Sequence, residues 1–240
     1  LVNKKYEFGT FVEFDKGFDI YATQTFQDEQ GRRILIGWMG IPDAEYDNDA
    51  TVSYDWIHAL TMPRELSFKD GKLLQKPLKE MQELRKNEFH CALSEFTQWE
   101  PEDSCFELHI DFEEKAEKVE KVEIVEIIEK ERRQQSRSMK LQLREDVILS
   151  LEEGILRLNM GKSGRGRKER ATKVEKLRNL TIFSDTSAIE IFINDGETVM
   201  TTRVYSENLK QKVTFLSKEN TGSVTGYELG SFIVHHHEEV

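Results

Sequence analysis

Short apolar runs, separated by loops rich in Asp, Asn and Gly, fill the first third of the chain, and Ile34-Leu35-Ile36-Gly37-Trp38-Met39 is the densest of them. Runs this short, and this rich in β-branched and aromatic residues, predict strands rather than buried helices. Turn signals at Asp15-Lys16-Gly17, residues 28–31, residues 42–49 and Asp70-Gly71 give residues 1–76 a strand, loop, strand rhythm. Three or four strands leave one apolar face and both edges open, so this part needs a larger partner sheet. Residues 77–86 carry Leu78, Met81 and Leu84 at three-residue spacing behind Pro77, which predicts a short helical connector.

From residue 87 to 240 the alternation becomes longer and cleaner. Phe106, Leu108, Ile110 and Phe112 take one side of a strand while Glu107, His109 and Asp111 take the other. The pattern repeats in Met139-Leu141-Leu143, Val147-Leu149-Leu151 and Leu156-Leu158-Met160, with a hairpin turn at Glu152-Glu153-Gly154. Ile189, Ile191 and Ile193 run into Asn194-Asp195-Gly196 and on to Val199, Thr201, Arg203 and Tyr205, two strands about a strong turn signal. Residues 213–215 and 227–234 complete the series, and many short strands without intervening helices predict a β-sandwich. Residues 113–137 stand apart: they are dense in Glu, Lys and Arg, and Val119, Val122, Val125 and Ile128 have helical spacing.

A chain of 240 residues can bury a real core as one large or two modest domains. The formal net charge of −11 would repel nucleic acid and anionic membranes, so neither is expected as a partner. No run approaches the roughly 18 apolar residues that a membrane span needs. Cys91 and Cys105 lack metal-ligand spacing and read as two partly buried thiols in a reducing compartment; with the acidic charge they fit a bacterial cytoplasmic setting.

Three motifs in residues 15–77 carry a resemblance: Phe18-Asp19-Ile20-Tyr21-Ala22-Thr23-Gln24-Thr25-Phe26, Ile36-Gly37-Trp38 and Leu60-Thr61-Met62-Pro63-Arg64-Glu65-Leu66. Together they resemble the end of the catalytic domain of glycoside hydrolase family 32, the invertase and sucrose-6-phosphate hydrolase group. Residues 177–205 are similar to the signature of that family's C-terminal sandwich, through Asp185, Ser187, Glu190, Phe192 and Asn194-Asp195-Gly196-Glu197. The resemblance implies an all-β chain, the last blade of a five-bladed β-propeller followed by a C-terminal β-sandwich. It also implies a strand and a long exposed loop over residues 113–137.

Retaining hydrolysis of a glycosidic bond needs two carboxyl groups flanking that bond, one attacking the anomeric carbon and one protonating the leaving oxygen. The family takes them, with a transition-state-stabilising Asp, from Asn-Asp-Pro-Asn-Gly, Arg-Asp-Pro and Glu-Cys motifs, and none of the three occurs here. The resemblance therefore implies that no catalytic residue lies in this chain, that all of them are upstream of Leu1, and that the chain alone is inactive. It implies a parent β-fructofuranosidase acting on sucrose or sucrose 6-phosphate without metal or cofactor, with the missing N-terminal blades as partner of this chain. Trp38 matches a tryptophan that lines the family's sugar pocket, since the C–H face of a sugar stacks on an aromatic ring. Read alone, Trp38 is more readily a core residue of a buried strand, and the resemblance reverses that preference. The resemblance places Tyr21 and Gln24 at the approach to the same pocket, although packing is the plainer role.

The remaining candidates are structural. Arg64-Glu65 reads as a buried ion pair tying the blade to the connector. Asp43, Glu45, Asp47 and Asp49 form a solvated acidic loop, the basic run of residues 165–170 an exposed one, and His58 a satisfied structural histidine. Gly161-Lys162-Ser163 lacks the upstream glycine of a phosphate-binding loop, Leu156 standing in its place. His235-His236-His237 has no bearing on function. The alternative to a hydrolase fragment is a free-standing carbohydrate-binding or interaction sandwich; strands that require an absent propeller speak against it.

Overall fold

The computed structural model describes residues 9–113, 138–208, 211–217 and 220–231. The charged segment 114–137 and His235-His236-His237 lie outside the described residues. Described strands fall into three antiparallel sheets. The first is built from β1 (Tyr21–Gln27), β2 (Arg33–Met39), β3 (Ala59–Leu60), β4 (Arg64–Lys69) and β5 (Lys72–Pro77), in the order β1-β2-β4-β5 with β3 also on β2. Asp70 and Gly71 close β4 onto β5 with φ of 51° and 77°, the paired positive angles of a two-residue hairpin turn. A 3-10 helix, Lys79–Leu84, follows, with Met81 buried.

The other two sheets face each other. One contains β6 (Arg85–Ala92), β8 (Phe106–Phe112), β13 (Asn179–Asp185), β14 (Ala188–Ile193), β15 (Thr198–Arg203) and β17 (Gly222–Leu229), in the order β15-β14-β13-β8-β17-β6. The other contains β7 (Gln98–Trp99), β9 (Met139–Gln142), β10 (Ile148–Glu152), β11 (Ile155–Asn159), β12 (Glu169–Lys173) and β16 (Val213–Phe215), in the order β12-β11-β10-β9-β16-β7. Leu108, Ile110, Ile182, Ile189, Ile191 and Ile193 from the first meet Leu141, Leu149, Leu151, Leu156 and Leu158 from the second in one buried cluster. This is the sandwich that the alternation predicts.

Blade and sandwich meet along β15. An edge strand offers unpaired N–H and C=O groups, and here residues 15–19 cover them. Lys16 N donates to Val199 O (2.7 Å) and Phe18 N to Thr201 O (2.8 Å). In the other direction, Thr201 N donates to the Asp15 carboxylate (3.0 Å) and Arg203 N to that of Asp19 (2.8 Å). The backbone approaches so closely that a Cβ on Gly17 would stand 2.1 Å from Thr201 O, which explains a glycine at a position read from sequence as a simple turn.

Arg64 is fully buried at this seam, and its partner is not Glu65. Its Nε donates to Glu190 Oε2 (3.1 Å), and its Nη1 to Asp15 Oδ2 (3.1 Å) and Gln75 Oε1 (3.0 Å). Glu190 also accepts from Met62 N at 2.7 Å. The expected pair is thus corrected: Arg64 ties the blade to β14 of the sandwich, because Glu65 points to the opposite side of the strand. Burial opposes the charge on Arg64, but the carboxylates of Glu190 and Asp15 outweigh it and raise the pKa. The basic run is exposed as expected at Arg165, Gly166, Lys168, Glu169 and Arg170, and Arg167 is the exception. Arg167 is 1% exposed and bidentate on buried Asp19 (2.7 Å for both bonds), with its guanidinium 4.1 Å from the Tyr46 ring centre. A buried arginine at such a distance from its partner in sequence cannot be read from a local charge run.

Arg144 offers the contrast. It is 1% exposed, donates to Ser184 Oγ (2.8 Å), Thr186 O (3.3 Å) and the carbonyl of Asp185, and leaves Nε without a partner among the described residues. Among the described residues no carboxylate hydrogen-bonds to it, and burial pulls its pKa down to about 10 against the pull of Asp185. Arg144→Met removes a buried charge together with three hydrogen bonds, so the two losses offset and stability changes by no more than about 1 kcal/mol. Urea unfolding measures this; a loss above about 2 kcal/mol would mean that the three acceptors depend on the guanidinium.

Candidate functional site

Register decides which side chains share a face of the blade. Tyr21 lies opposite Trp38 and Gln24 opposite Ile36, so three steps along β1 answer two along β2. This bulge is why residues 21 and 24, which a regular strand would send to opposite faces, lie on the same face as Trp38. Ala22 takes φ of 45° within it. Gly37 leaves it room, since a Cβ there would stand 2.8 Å from Ile20 and 2.9 Å from Thr23 side-chain atoms. Arg64 lies opposite Leu35, on the other face. One side of β2 is therefore devoted to the sandwich and the other to Tyr21, Gln24 and Trp38.

On that second face the rings form a row. The centres of Tyr21 and Trp38 are 6.0 Å apart with planes at 59°, and Trp38 meets His58 at 4.8 Å and 75°, edge to face. Trp38 is half-buried, Tyr21 is 52% exposed, and Gln24 is exposed. The structure thus brings together the three residues singled out from sequence and adds His58, which the sequence reads as a satisfied structural histidine. Its signal was only proximity in the Trp56-Ile57-His58 run, and contact with Trp38 depends on β3 pairing with β2 through Trp38 opposite Leu60.

The sandwich reaches this site through Arg203. Its Nη1 donates to the carbonyls of Met39 (3.4 Å) and Ile57 (3.3 Å), the neighbours in sequence of Trp38 and His58. Its Nε and Nη2 are fixed on Ser187 O and Oγ, both at 3.0 Å. Two cavities lie elsewhere. One, of about 160 Å³, is between the 3-10 helix and β8, lined by Arg85, Glu107 and His109. Another, of about 690 Å³, is a cleft between β3 and the outer face of β13 and β14. The row of rings borders neither, and forms an open wall.

Of the four acidic loop residues, Asp47 is paired with Arg165 at 3.1 Å. Gly161-Lys162-Ser163 does bind a carboxylate, that of Asp146, through Ser163 N (3.0 Å), Lys162 N and Ser163 Oγ. That nest is filled from within. Among the described residues no cluster of three or more His, Cys, Asp or Glu could hold a metal ion.

The model of the glycosyl hydrolases family 32 N-terminal domain matches residues 2–77, and that of the family 32 C terminal matches residues 73–231. Sucrose-6-phosphate hydrolase of Staphylococcus xylosus is 38% identical over 210 residues, covering 82% of this chain and 39% of that protein; the Bacillus subtilis protein of the same name is 35% identical over 200 residues, covering 82% and 38%. The solved sucrose-6-phosphate hydrolase from Lactobacillus gasseri superposes with a TM-score of 0.73 at 25% identity, over 91% of this chain and 43% of that one. A Bombyx mori family 32 β-fructofuranosidase in complex with sucrose shares the fold, with a TM-score of 0.64 at 22% identity over 91% of this chain and 42% of that one. The chain spans about two fifths of the length of the curated relatives it matches. Its fold, a propeller blade followed by a β-sandwich, its motifs and both matched domains agree: the chain belongs to glycoside hydrolase family 32.

Proposed function

We propose that this chain supplies the last propeller blade and the sandwich of a retaining β-fructofuranosidase that hydrolyses sucrose 6-phosphate or sucrose. The observation that carries the reading is the 38% identity to a sucrose-6-phosphate hydrolase over 82% of the chain. The nucleophile and the acid/base carboxyl come from blades outside these residues, and Trp38 supplies an apolar wall on which the sugar stacks, with Tyr21 and Gln24 beside it. The sandwich acts as a brace, holding the backbone of that wall through Arg203. Exposed apolar side chains on the blade support a partner of this kind. Phe26, 51% exposed, shares the Trp38 face, while Phe68 (76%) and Leu73 (42%) share the other. A blade inside a propeller has neighbours on both faces, and those neighbours would cover all three.

The test is release of glucose 6-phosphate from sucrose 6-phosphate. The 240-residue chain alone is expected to give no release above buffer, and activity to appear when the upstream blades are supplied. Turnover by the chain alone would mean that its own acidic residues form a catalytic pair, and the reading would fall.

A further inference from the structure

His58 is half-buried, and no described residue hydrogen-bonds to either of its ring nitrogens. Its ring and that of Trp38 form an edge-to-face pair with centres 4.8 Å apart. The two rings meet above Gly40, where a Cβ would stand 2.6 Å from His58 Cδ2 and 2.9 Å from Trp38 Nε1, so the pair needs a glycine beneath it. Arg203 holds the carbonyl of Ile57 on one side and that of Met39 on the other. A position built with this care needs only an apolar ring if packing is its purpose. Instead it carries a group with one donor and one acceptor, both open, at the rim of an aromatic wall.

We propose that His58 is a sugar-contacting residue: a ring nitrogen exchanges a hydrogen bond with a hydroxyl of the fructofuranoside and fixes how the sugar lies on Trp38. The inference rests on the reading of Trp38 as the sugar wall. An indole face alone tolerates a sugar in several orientations, because stacking is only weakly directional; a hydrogen bond at its edge selects one. His58 therefore sets orientation, and Trp38 most of the contact area.

The experiment is saturation-transfer NMR on the full 240-residue chain, with sucrose as the probe. Three variants are compared with the wild type: Trp38→Ala, His58→Phe and His58→Gln. His58→Phe keeps an edge-on ring and loses both nitrogens, so the apparent Kd for sucrose should rise about fivefold, the effect of one neutral hydrogen bond. His58→Gln restores an N–H and an acceptor and should bring Kd back to within about twofold. Trp38→Ala should abolish transfer, and near-UV circular dichroism should be the same for wild type and His58→Phe, showing the indole still seated. An unchanged Kd in His58→Phe, or a Kd in His58→Gln as weak as in His58→Phe, would overturn the assignment and leave the wall intact. Full transfer in Trp38→Ala, or none in the wild type, would overturn the wall itself and His58 with it.

Discussion

Arg64→Leu is expected to lower the stability of the chain by about 3–5 kcal/mol, the usual cost of removing one member of a buried ion pair. The side chain is fully buried, and two carboxylates face it, so the substitution strands charge on both Asp15 and Glu190. Asp15 keeps the amides of Gly17 and Thr201 and the Thr201 hydroxyl, whereas among the described residues Glu190 keeps only Met62 N. Glu190 should therefore dominate the loss. Burial already pushes the Glu190 carboxyl above its ordinary 4.5, against the pull of Arg64, and removing the arginine raises it further. An acid whose folded pKa is raised lends stability below the unfolded value and loses it as pH rises through the folded one. The deficit of Arg64→Leu relative to wild type should then be largest near neutral pH and shrink as pH falls toward the ordinary 4.5, where Glu190 is protonated in the folded variant. Denaturant midpoints at both ends of that range measure it. The double variant Arg64→Leu/Glu190→Leu should be more stable than the single one, since the stranded carboxylate is gone. A deficit under about 1 kcal/mol, or one independent of pH, would show that the seam does not depend on this pair.

Hairpins and core strands were legible because their signals are local. Asp70-Gly71 and Glu153-Gly154 both take paired positive φ, and the alternating leucines of residues 139–160 are buried where their period puts them. The seam was not legible. Arg64 was paired with its neighbour Glu65 although strand geometry sends the two to opposite faces, and its true partner Glu190 lies 126 residues on. Arg167 looked solvated because its partner Asp19 is 148 residues away. The site was half legible: the motifs singled out Tyr21, Gln24 and Trp38, but only the bulge in β1 places them on one face. His58 carries no motif and becomes visible only when β3 pairs with β2. Chemistry written in consecutive residues survives in sequence, and chemistry assembled across a domain seam does not.

Separating the two parts should give unequal halves. A chain ending at Pro77 is expected to show no cooperative unfolding transition, and a chain starting at Leu78 to unfold cooperatively, with a midpoint some 5–10 °C below the whole. Among the described residues, the only buried member of the main cluster from before Leu78 is Phe18, with Tyr46 packed partly buried beside it, and both lie against the sandwich. The blade's own buried apolar side chains are otherwise Ile34, Leu35, Met39 and Leu74. A piece of about 70 residues is marginal even with a complete core, and this one would also leave Arg64 without Glu190 and Asp19 without Arg167. In the sandwich piece, Glu190, Arg167 and Arg203 simply return to water, where an unpaired charge costs little. Its loss is the packing of Phe18, Tyr46 and Met62 and the open edge of β15, which then invites strand pairing between copies. Association that disappears when residues 9–77 are restored would locate that edge. A sigmoidal thermal transition and dispersed amide resonances from the isolated blade would show instead that its sheet is self-sufficient, and would remove the reason for regarding the sandwich as its brace.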